Sequence, residues 1–358
     1  MRFRSLHLQD IRSYQLFDVV LSDGVTVVAG PNGSGKTNLL ESLYVLSHGS
    51  SFRGRDRDLL AYDKPYGVIK SIMEDKSERR ISLTVRDDGK VGKEFIIGGT
   101  KRQRLSFAQR LPVVLFDPEG LRALSSSPAR RRDFLDDVLG RLTPNYSTIL
   151  HRYERSLLQR NELLKRQSML VETTWRDQLF VWDVKLAELA EQLVEARTKL
   201  LAHYNDRLSD VYSELSNKQT DLKVQYHTFH YQSSSYRHTF FAKLQQLAPY
   251  DAVRGFTSVG PQRDDFEVFI GGHPALDVAS RGEMRTIMLA LKLIETKLVE
   301  GAHQTAPLLL LDDVFSELDT TRRQKLTGAL DGYQTVITTT DADIVSKATN
   351  YKLIRTRS

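Results

Sequence analysis

The sequence contains no cysteine among its 358 residues. Disulfides and zinc sites with cysteine ligands are therefore excluded, and a reducing compartment is the simplest expectation. No stretch approaches 18 uninterrupted apolar residues, and the opening MRFRSLHLQDIRS carries charges inside its apolar stretch. Both observations argue against a membrane span and a secretory leader. We predict a soluble, cytoplasmic protein with no membrane partner.

Basic charge is concentrated in the first half of the chain. Residues 1–166 hold 29 Lys and Arg against 20 Asp and Glu, a net charge of +9, whereas the remainder holds 22 against 25, a net −3. Basic clusters occur at 53–57, 101–104 and 130–132. A face that binds a polyanion such as nucleic acid is one explanation. Ordinary solvated surface, together with arginines that serve a nucleotide, is the other.

A complete phosphate-binding loop is the most informative feature of the sequence. Residues 30–37 read GPNGSGKT and match G-x-x-x-x-G-K-[ST] at every fixed position. A β-branched run precedes the loop, and leucines at helical spacing follow it. In such a loop, backbone N–H groups close on phosphates and the helix N-terminus adds its dipole. The predicted ATP-binding residues of the loop are Gly30, Pro31, Asn32, Gly33, Ser34, Gly35, Lys36 and Thr37.

A second informative stretch is apolar and then acidic. Residues 308–311 are four leucines, typical of a buried parallel strand, and Asp312 and Asp313 follow them. Such a carboxylate holds Mg²⁺ opposite the P-loop threonine, and a second one can orient the attacking water. Capping of the strand is the alternative for the acids alone, and the P-loop favours Mg²⁺. We predict Thr37 and Asp312 as Mg²⁺ ligands, and Lys36 and Asp313 as catalytic residues.

Two further segments carry weaker signals. Residues 279–283 read ASRGE before a helical pattern, and offer a hydroxyl and bare N–H groups to an anion. Most S-x-G sequences are only helix caps, so this segment decides nothing alone. Residues 335–341 read TVITTTD, a β-branched strand that ends in hydroxyls and an acid.

The order of these motifs resembles the ABC-type ATPase head, and the details resemble the RecF family of SMC-like DNA-repair ATPases in bacteria. The generic matches are the P-loop and the acidic strand. SPARRRDFLD at 127–136 and GPQRDDFEV at 260–268 are more specific. The other matching stretches are SSFR at 50–53, FDPEGL at 116–121, ASRGEMR at 279–285, DDVFSELD at 312–319 and ITTTD at 337–341.

The resemblance implies roles for residues outside the P-loop. Ser280 and Gly282 fall where the ABC signature contacts the γ-phosphate of ATP held by the opposite subunit. Asp312 falls on the Walker B acid and Asp313 on the catalytic carboxylate. Residues 316–319, which end in Asp319, correspond to the D-loop at the dimer seam.

The remaining assignments implied by the resemblance are looser. Thr340 takes the place of the switch histidine of transporter ATPases, and Arg12 and Arg53 fall where related heads approach the nucleotide. Glu283 and Gly120 depart from the family pattern, which has Gln in many signatures and an acid in F-x-P-E-x-L.

The middle of the chain predicts a helical second lobe. From 182 to 215, apolar residues alternate at spacings of three and four, which is typical of a long amphipathic helix. An earlier helix at about 145–169 is expected to pair with it antiparallel across a turn near 171–174. We predict an α/β ABC-type P-loop ATPase head. Lobe I comprises 1–125 plus 255–358, and helical lobe II, with a short antiparallel coiled-coil-like arm, comprises 126–254.

The resemblance implies a weak, DNA-stimulated ATPase that uses ATP and Mg²⁺ and acts in recombinational repair. It also implies an ATP-dependent homodimer on gapped or junction DNA, which helps RecR and RecO to load the recombinase RecA. Lys101, Arg102 and Arg104 are the candidate DNA contacts. Two alternatives remain open at this point: a motor subunit of a membrane transporter, and a nucleotide-gated scaffold with little hydrolysis.

Overall fold

The computed structural model describes residues 2–169, 171–229, 235–341 and 351–356. The chain divides into two compact units. Unit 1 comprises Met1–Leu121, Glu214–Ser216 and Lys292–Ser358, and unit 2 comprises Arg122–Ser213 and Asn217–Leu291. The lobe division at 254/255 stays a prediction, and compact unit 2 extends to Leu291 because the strand after GPQRDD pairs with a strand of the same unit.

The strands and helices follow one another along the chain without a repeat. Among the described residues the strands are β1 (Ser5–Ile11), β2 (Tyr14–Val20), β3 (Val25–Ala29), β4 (Tyr66–Ile72), β5 (Glu78–Val85), β6 (Val91–Ile97), β7 (Thr100–Arg102), β8 (Val113–Phe116), β9 (Leu222–His227), β10 (Asp265–Ile270), β11 (His273–Pro274), β12 (Leu308–Asp312), β13 (Thr335–Thr339) and β14 (Tyr351–Arg355). The described α-helices are α1 (Lys36–His48), α2 (Asp56–Leu59), α3 (Pro128–Leu142), α4 (Tyr146–Lys165), α5 (Glu172–Ser216), α6 (Tyr236–Arg254), α7 (Ala275–Val278), α8 (Arg281–His303) and α9 (Thr320–Ala329). Short 3₁₀ helices cover Phe107–Gln109, Gly120–Ser125, Gln167–Met169 and Val314–Glu317.

Unit 1 contains two sheets. Its described strands form a five-stranded parallel sheet of order β14-β3-β13-β12-β8 and a six-stranded antiparallel sheet of order β2-β1-β4-β5-β6-β7. Two inner strands of the parallel sheet, β3 and β12, are almost continuously apolar because both of their faces are covered. The third, β13, is equally buried but carries three threonines.

Helix α1 fills the space between these two sheets. Its leucines at 39, 40, 43 and 46 are fully buried, and they share one core with residues of β1, β4, β5, β8 and β12. Because the helix is buried nearly all round, its sequence shows little amphipathic periodicity. The P-loop at its N-terminus is thereby fixed to the core of the unit.

Unit 2 is built on the long helix α5. The predicted turn at 171–174 is wrong, because α5 begins at Glu172. Trp175, which is 2% exposed, packs on Leu163 and Leu164 of α4 and donates to the Leu163 carbonyl at 3.1 Å. These contacts bury the first turn of α5 and fix it as helix. No helix in the described part of the chain is long and apolar enough to cross a membrane.

A buried ion cluster joins three helices of unit 2. Arg160 on α4, whose side chain is fully buried, bonds Asp183 on α5 at 2.5 Å and Asp251 on α6 at 3.0 Å. The contact of Leu163 with Trp175 joins residues near the turn between α4 and α5, and that of Arg160 with Asp183 joins residues farther apart in sequence. The separation grows away from the turn because the two helices are antiparallel. The expected two-helix arm is therefore packed against a third helix, α6.

The two stretches most specific to the resemblance contact each other inside unit 2. Arg131 forms a two-pronged ion pair with Asp265, with donor–acceptor distances of 2.7 and 2.5 Å. Arg197 on α5 likewise bonds both carboxylate oxygens of Asp136 and donates to the Pro261 carbonyl at 2.8 Å. SPARRRDFLD and GPQRDD thus serve the architecture of unit 2, which explains their residue types without a ligand.

Candidate nucleotide-binding site

The predicted phosphate and metal residues meet at one edge of the parallel sheet. In register, β3 pairs with β13, β13 with β12, and β12 with β8, all parallel. The carboxyl ends of these strands therefore lie side by side. The P-loop follows β3, Asp312 ends β12, and Thr340 and Asp117 come directly after β13 and β8.

The P-loop encloses the ammonium group of Lys36. This residue begins α1, is 8% exposed, and donates to the carbonyls of Gly30 and Pro31 at 2.7 and 2.8 Å. Gly35 has φ +89°, and a Cβ there would lie 2.8 Å from both the Ser13 and Tyr14 hydroxyl oxygens. The loop thus holds a lysine at a helix N-terminus with open N–H groups, an arrangement suited to phosphate.

Thr356 supports the P-loop from the residue directly after β14, and sequence reasoning missed it. Its hydroxyl lies 2.7 Å from the Ser34 hydroxyl, and its backbone N–H donates to Ala29 at 3.0 Å. A Cβ at Gly30 would come within 2.2 Å of the Thr356 hydroxyl oxygen. Gly30 is therefore needed for close packing, beyond any approach to a ligand.

Thr37 and Asp312 form the predicted metal pair. The Thr37 hydroxyl lies 2.9 Å and 3.1 Å from the two Asp312 carboxylate oxygens, and Thr338 donates to the same carboxylate at 2.6 Å. Hydroxyl and carboxylate oxygens are ligands that Mg²⁺ accepts in proteins. No group of three or more His, Asp or Glu in the described ranges could hold a metal by itself. These residues fit an ion that takes its remaining ligands from phosphates and water.

Asp313 has an unusual backbone and an unsatisfied oxygen. Its φ is +51°, and its N–H donates to the Thr338 hydroxyl at 3.0 Å. Burial raises the pKa of Asp313 above its ordinary value, and the charge of Asp312 adds to this rise, although a hydrogen bond with Ser316 and the charge of Lys36 oppose it. Its Oδ1 atom is buried and has no hydrogen-bond partner among the described residues. Such an oxygen suits a general base that accepts a proton from water.

Arg12 and Arg53 converge on Glu41, a residue that the sequence reasoning missed. Glu41 lies on α1 one turn after Thr37, with its side chain fully buried. Arg12 donates to both of its carboxylate oxygens at 2.8 and 2.7 Å, and Arg53 donates at 2.9 Å. Glu41 is the one acidic residue within α1, and an isolated acid in the helix after a P-loop is the sequence signal that could have identified it.

The charge of Glu41 is stabilised by these contacts. Burial alone would raise the pKa of Glu41, but hydrogen bonds from Arg12, Arg53 and the Ser51 hydroxyl together lower it below its ordinary value. Arg53 also donates to the Asn38 side chain, beside the P-loop. Glu41 thus holds both predicted nucleotide-contacting arginines next to the start of α1.

The two other site residues predicted in unit 1 are Asp319 and Thr340. Asp319 is the N-cap of α9 and accepts from the Arg322 N–H at 2.9 Å, while its side chain also pairs with that arginine. The carboxylate is therefore engaged by its own helix. Thr340 is exposed directly after β13.

The signature residues lie in unit 2 at the start of α8. The Ser280 N–H and hydroxyl donate to one Glu283 carboxylate oxygen at 2.9 and 2.8 Å, and the Glu283 N–H donates back to the Ser280 hydroxyl at 3.2 Å. This reciprocal pattern is a capping box. Gly282 lies in the first turn, and its carbonyl accepts from Thr286 at 2.8 Å.

Comparison with known proteins decides the family. The chain matches the RecF/RecN/SMC N-terminal domain family over residues 2–358. It is 31% identical over 350 residues to the DNA replication and repair protein RecF of Clostridium acetobutylicum, which covers 97% of this chain and 95% of that protein. The chain belongs to the RecF family. A RecF of Bacillus cytotoxicus is 32% identical over 357 residues, with 98% and 94% covered.

Solved structures agree with membership of the RecF family. A structure described as the recombination mediator protein RecF-ATPrS in the RecFOR pathway has a TM-score of 0.86 and 29% identity, and covers 98% of this chain and 95% of its own. An SMC head bound to the C-winged helix domain of ScpA has a TM-score of 0.54 and 15% identity, covers 100% and 95%, and shares the fold alone. The predicted family resemblance and ABC-type fold class are confirmed.

Both departures from the RecF pattern have local explanations. Glu and Gln serve equally at the third position of a capping box, so Glu283 keeps the contact that Gln would make. At Gly120, a Cβ would lie 2.5 Å from the Asp117 carboxylate, which accepts from the Gly120 N–H. In this RecF-family chain the Asp117 carboxylate therefore lies next to position 120, where the pattern expects an acid.

The candidate DNA contacts lie on the antiparallel sheet of unit 1. Lys101 and Arg102 are exposed on the edge strand β7, and Arg104 is exposed just beyond it. Lys101 lies 3.2 Å from Glu94. The structure therefore leaves all three cationic groups accessible.

Proposed function

We propose that this chain is an ATP-dependent DNA-binding protein of recombinational repair and replication-gap processing. ATP drives a homodimer on gapped or junction DNA, and the dimer assists loading of the recombinase RecA together with RecR and RecO. The meeting of Thr37 and Asp312 at the P-loop supports the ATP part most directly. The relatives' names, and a neighbour described as a recombination mediator in the RecFOR pathway, support the repair part.

The chemistry follows from the sheet edge. Lys36 and the loop N–H groups bind the β- and γ-phosphates of ATP. Thr37 and Asp312 hold Mg²⁺, which neutralises phosphate charge when bound. Asp313 accepts a proton from water as the water oxygen bonds to the γ-phosphorus, and the bond to the bridging oxygen breaks to release ADP. We expect slow hydrolysis that DNA stimulates.

The second half of the nucleotide site is supplied in trans. Ser280 and Gly282 of one subunit contact the γ-phosphate bound at Lys36 of the other, and Asp319 and Thr340 lie at the seam. The hydroxyl and N–H groups at the start of α8 supply the donors for this contact. Arg12 and Arg53, held by Glu41, approach the same nucleotide.

DNA binding is electrostatic in this proposal. Residues 1–166 carry the +9 excess, and Lys101, Arg102 and Arg104 present exposed cations for the backbone. Few bases are read, because no finger motif or recognition helix is present in the sequence. None of the relatives named above is a transporter, so the transporter alternative has no support from them.

The mass of the protein in solution tests the proposal. We expect ATP, and not ADP, to double the mass, and duplex DNA to favour the dimer. Lys36→Ala should lose nucleotide binding, whereas Ser280→Arg should bind ATP and stay a monomer. Ser168→Arg, at an exposed serine of unit 2, is the matched control and should dimerise.

Two results would contradict parts of this proposal. Dimerisation of Ser280→Arg with ATP would remove the shared site. DNA affinity that responds to neither salt nor ATP would remove the repair function. A steady-state assay of phosphate release separates the proposed ATPase from a nucleotide-gated scaffold.

A further inference from the structure

Unit 1 contains a surface pocket whose charge the nucleotide site does not explain. It has a volume of about 540 Å³ and lies beside the C-terminal end of α1. We call it the basic pocket, because Arg86, Lys93, Arg104 and Arg110 contribute to its lining. All of these residues fall between β5 and β8, away from the P-loop sequence.

Most of the positive charge in the basic pocket has no counter-charge. Lys93 is neutralised, since it lies 2.8 Å from Asp56 and donates to the Gly49 carbonyl at 2.6 Å. Asp56 is the single carboxylate among the described residues that line the pocket. Within the described ranges, Arg86, Arg104 and Arg110 form no ion pair. The pocket therefore keeps the charge of three guanidinium groups.

Arg110 of the lining is half-buried, and Arg79 is buried beside it. The Nε atom of Arg110 is buried without a hydrogen-bond partner among the described residues, and burial lowers the pKa of this side chain. Arg79, 5% exposed, donates to the carbonyls of Leu46 at 2.5 Å and Gln109 at 2.7 Å, next to the lining residues. Burial lowers the pKa of Arg79 to about 10. Desolvated cations without a counter-charge are costly, and a bound anion would offset that cost.

We infer that the basic pocket binds a phosphate group. Guanidinium groups match phosphate oxygens in geometry and charge, and those of Arg86, Arg104 and Arg110 belong to residues that line the pocket. Residues 79–110 contain nine Lys and Arg against three Asp and Glu, a net charge of +6, so the surroundings favour a polyanion. On the proposed function, from which this step follows, the phosphate belongs to the DNA backbone.

The test measures duplex DNA binding by fluorescence anisotropy across a range of salt. The proteins of this arm keep Lys36 and are measured with ATP, which the proposed dimer on DNA requires. Arg110→Gln and Arg86→Gln should each weaken binding about tenfold, and each should reduce the log–log salt slope by about 0.9. Arg110→Lys should keep most of the slope. Lys64→Gln removes the same charge from an exposed residue outside the pocket, and should change affinity less than twofold.

A second arm identifies the source of the phosphate. In this arm each protein also carries Lys36→Ala, so that the P-loop does not compete for phosphate, and thermal unfolding is followed as tripolyphosphate is added at constant ionic strength. A reduced log–log salt slope of DNA binding in the arginine variants assigns the pocket to DNA. An unchanged slope with lost stabilisation by tripolyphosphate assigns it to a free anion. If the variants match Lys64→Gln in both arms, the inference is overturned. If the parent protein with Lys36 intact and ATP present fails to bind duplex, the proposed function fails, and tripolyphosphate still tests the pocket.

Discussion

The Thr37 hydroxyl lies 2.9 Å from the Asp312 carboxylate, although 275 positions separate the two residues in the chain. Parallel pairing of β12 with β13, and of β13 with β3, brings them together. Thr338 on the intervening strand holds the same carboxylate at 2.6 Å. The two side chains proposed to hold Mg²⁺ are therefore positioned by the sheet itself.

Substitutions of the neighbouring residues Asp312 and Asp313 should have separable effects on ATP binding and ATP hydrolysis. Asp312→Asn should weaken Mg²⁺-dependent ATP binding by about tenfold or more, because it removes a charged metal ligand. Asp313→Asn should keep ATP bound and slow hydrolysis at least about 100-fold, as expected on loss of a general base. Titration of a fluorescent ATP analogue with and without Mg²⁺, together with phosphate release, measures both effects. Hydrolysis by Asp313→Asn at the unaltered rate would assign the base to another residue.

Removal of the Glu41 charge should destabilise unit 1. Glu41→Gln breaks charged hydrogen bonds to Arg12 and Arg53, and should cost about 2 kcal/mol of unfolding free energy at pH 7. Urea unfolding gives the value. Glu74→Gln is the control, since Glu74 is exposed and lies 3.9 Å from Arg4, and should cost less than about 0.5 kcal/mol.

The Glu41 effect should also depend on pH. The pKa of folded Glu41 lies below its ordinary value of 4.5, so the unfolded chain takes up the proton first as pH falls. Its stabilising contribution is present above pH 4.5 and is lost as pH falls through the folded pKa. The difference between Glu41→Gln and the parent should therefore shrink below pH 4.5. A constant difference would show that shape, and not charge, matters at this position.

The sequence predicted the nucleotide site best where the chemistry is local. The P-loop needs consecutive glycines before a helix, so Lys36 and Thr37 could be identified from eight residues. Asp312 could be identified because the buried strand before it is visible in the sequence as an apolar run.

Features that depend on strand order could not be predicted in this way. Thr356 supports the P-loop only because β14 pairs with β3, and nothing within residues 351–356 indicates that neighbour. The start of α5 was misplaced because Trp175 is fixed by α4, and periodicity was strong only after 182.

Glu283 should stabilise the start of α8 through the oxygens that accept hydrogen bonds from Ser280. Glu283→Ala should lower the unfolding free energy by about 1 kcal/mol, because the N–H and hydroxyl of Ser280 lose their acceptor. Glu283→Gln retains an oxygen acceptor and should cost much less. Thermal unfolding compares the two, and equal losses would mean that the charge, and not the capping box, stabilises the start of α8.

Gly120 should be required by Asp117. A Cβ at 120 would lie 2.5 Å from the Asp117 Oδ1, so Gly120→Ala should cost about 1–3 kcal/mol of unfolding free energy. The clash is with a side chain, and Asp117→Ala removes it. Gly120→Ala should therefore cost little in the Asp117→Ala background, which gives a coupling above about 1 kcal/mol in a double-mutant cycle.

Substitutions at Asp117 and Gly120 can also move the carboxylate from position 117 to position 120. Burial, opposed by Lys292, raises the pKa of Asp117 above its ordinary value, and the charge of Asp312 raises it further. Asp117→Ala should thus remove a partly buried acid whose pKa responds to the charge of Asp312, the proposed Mg²⁺ ligand. If Asp117 takes the role of an acid at 120, Asp117→Ala should weaken Mg²⁺-dependent ATP binding. Adding Gly120→Asp then places an acid at the position that the RecF pattern expects, and should recover this binding. If the double variant binds ATP no better than Asp117→Ala, the two departures are independent, and the carboxylate at 117 acts only on its own loop.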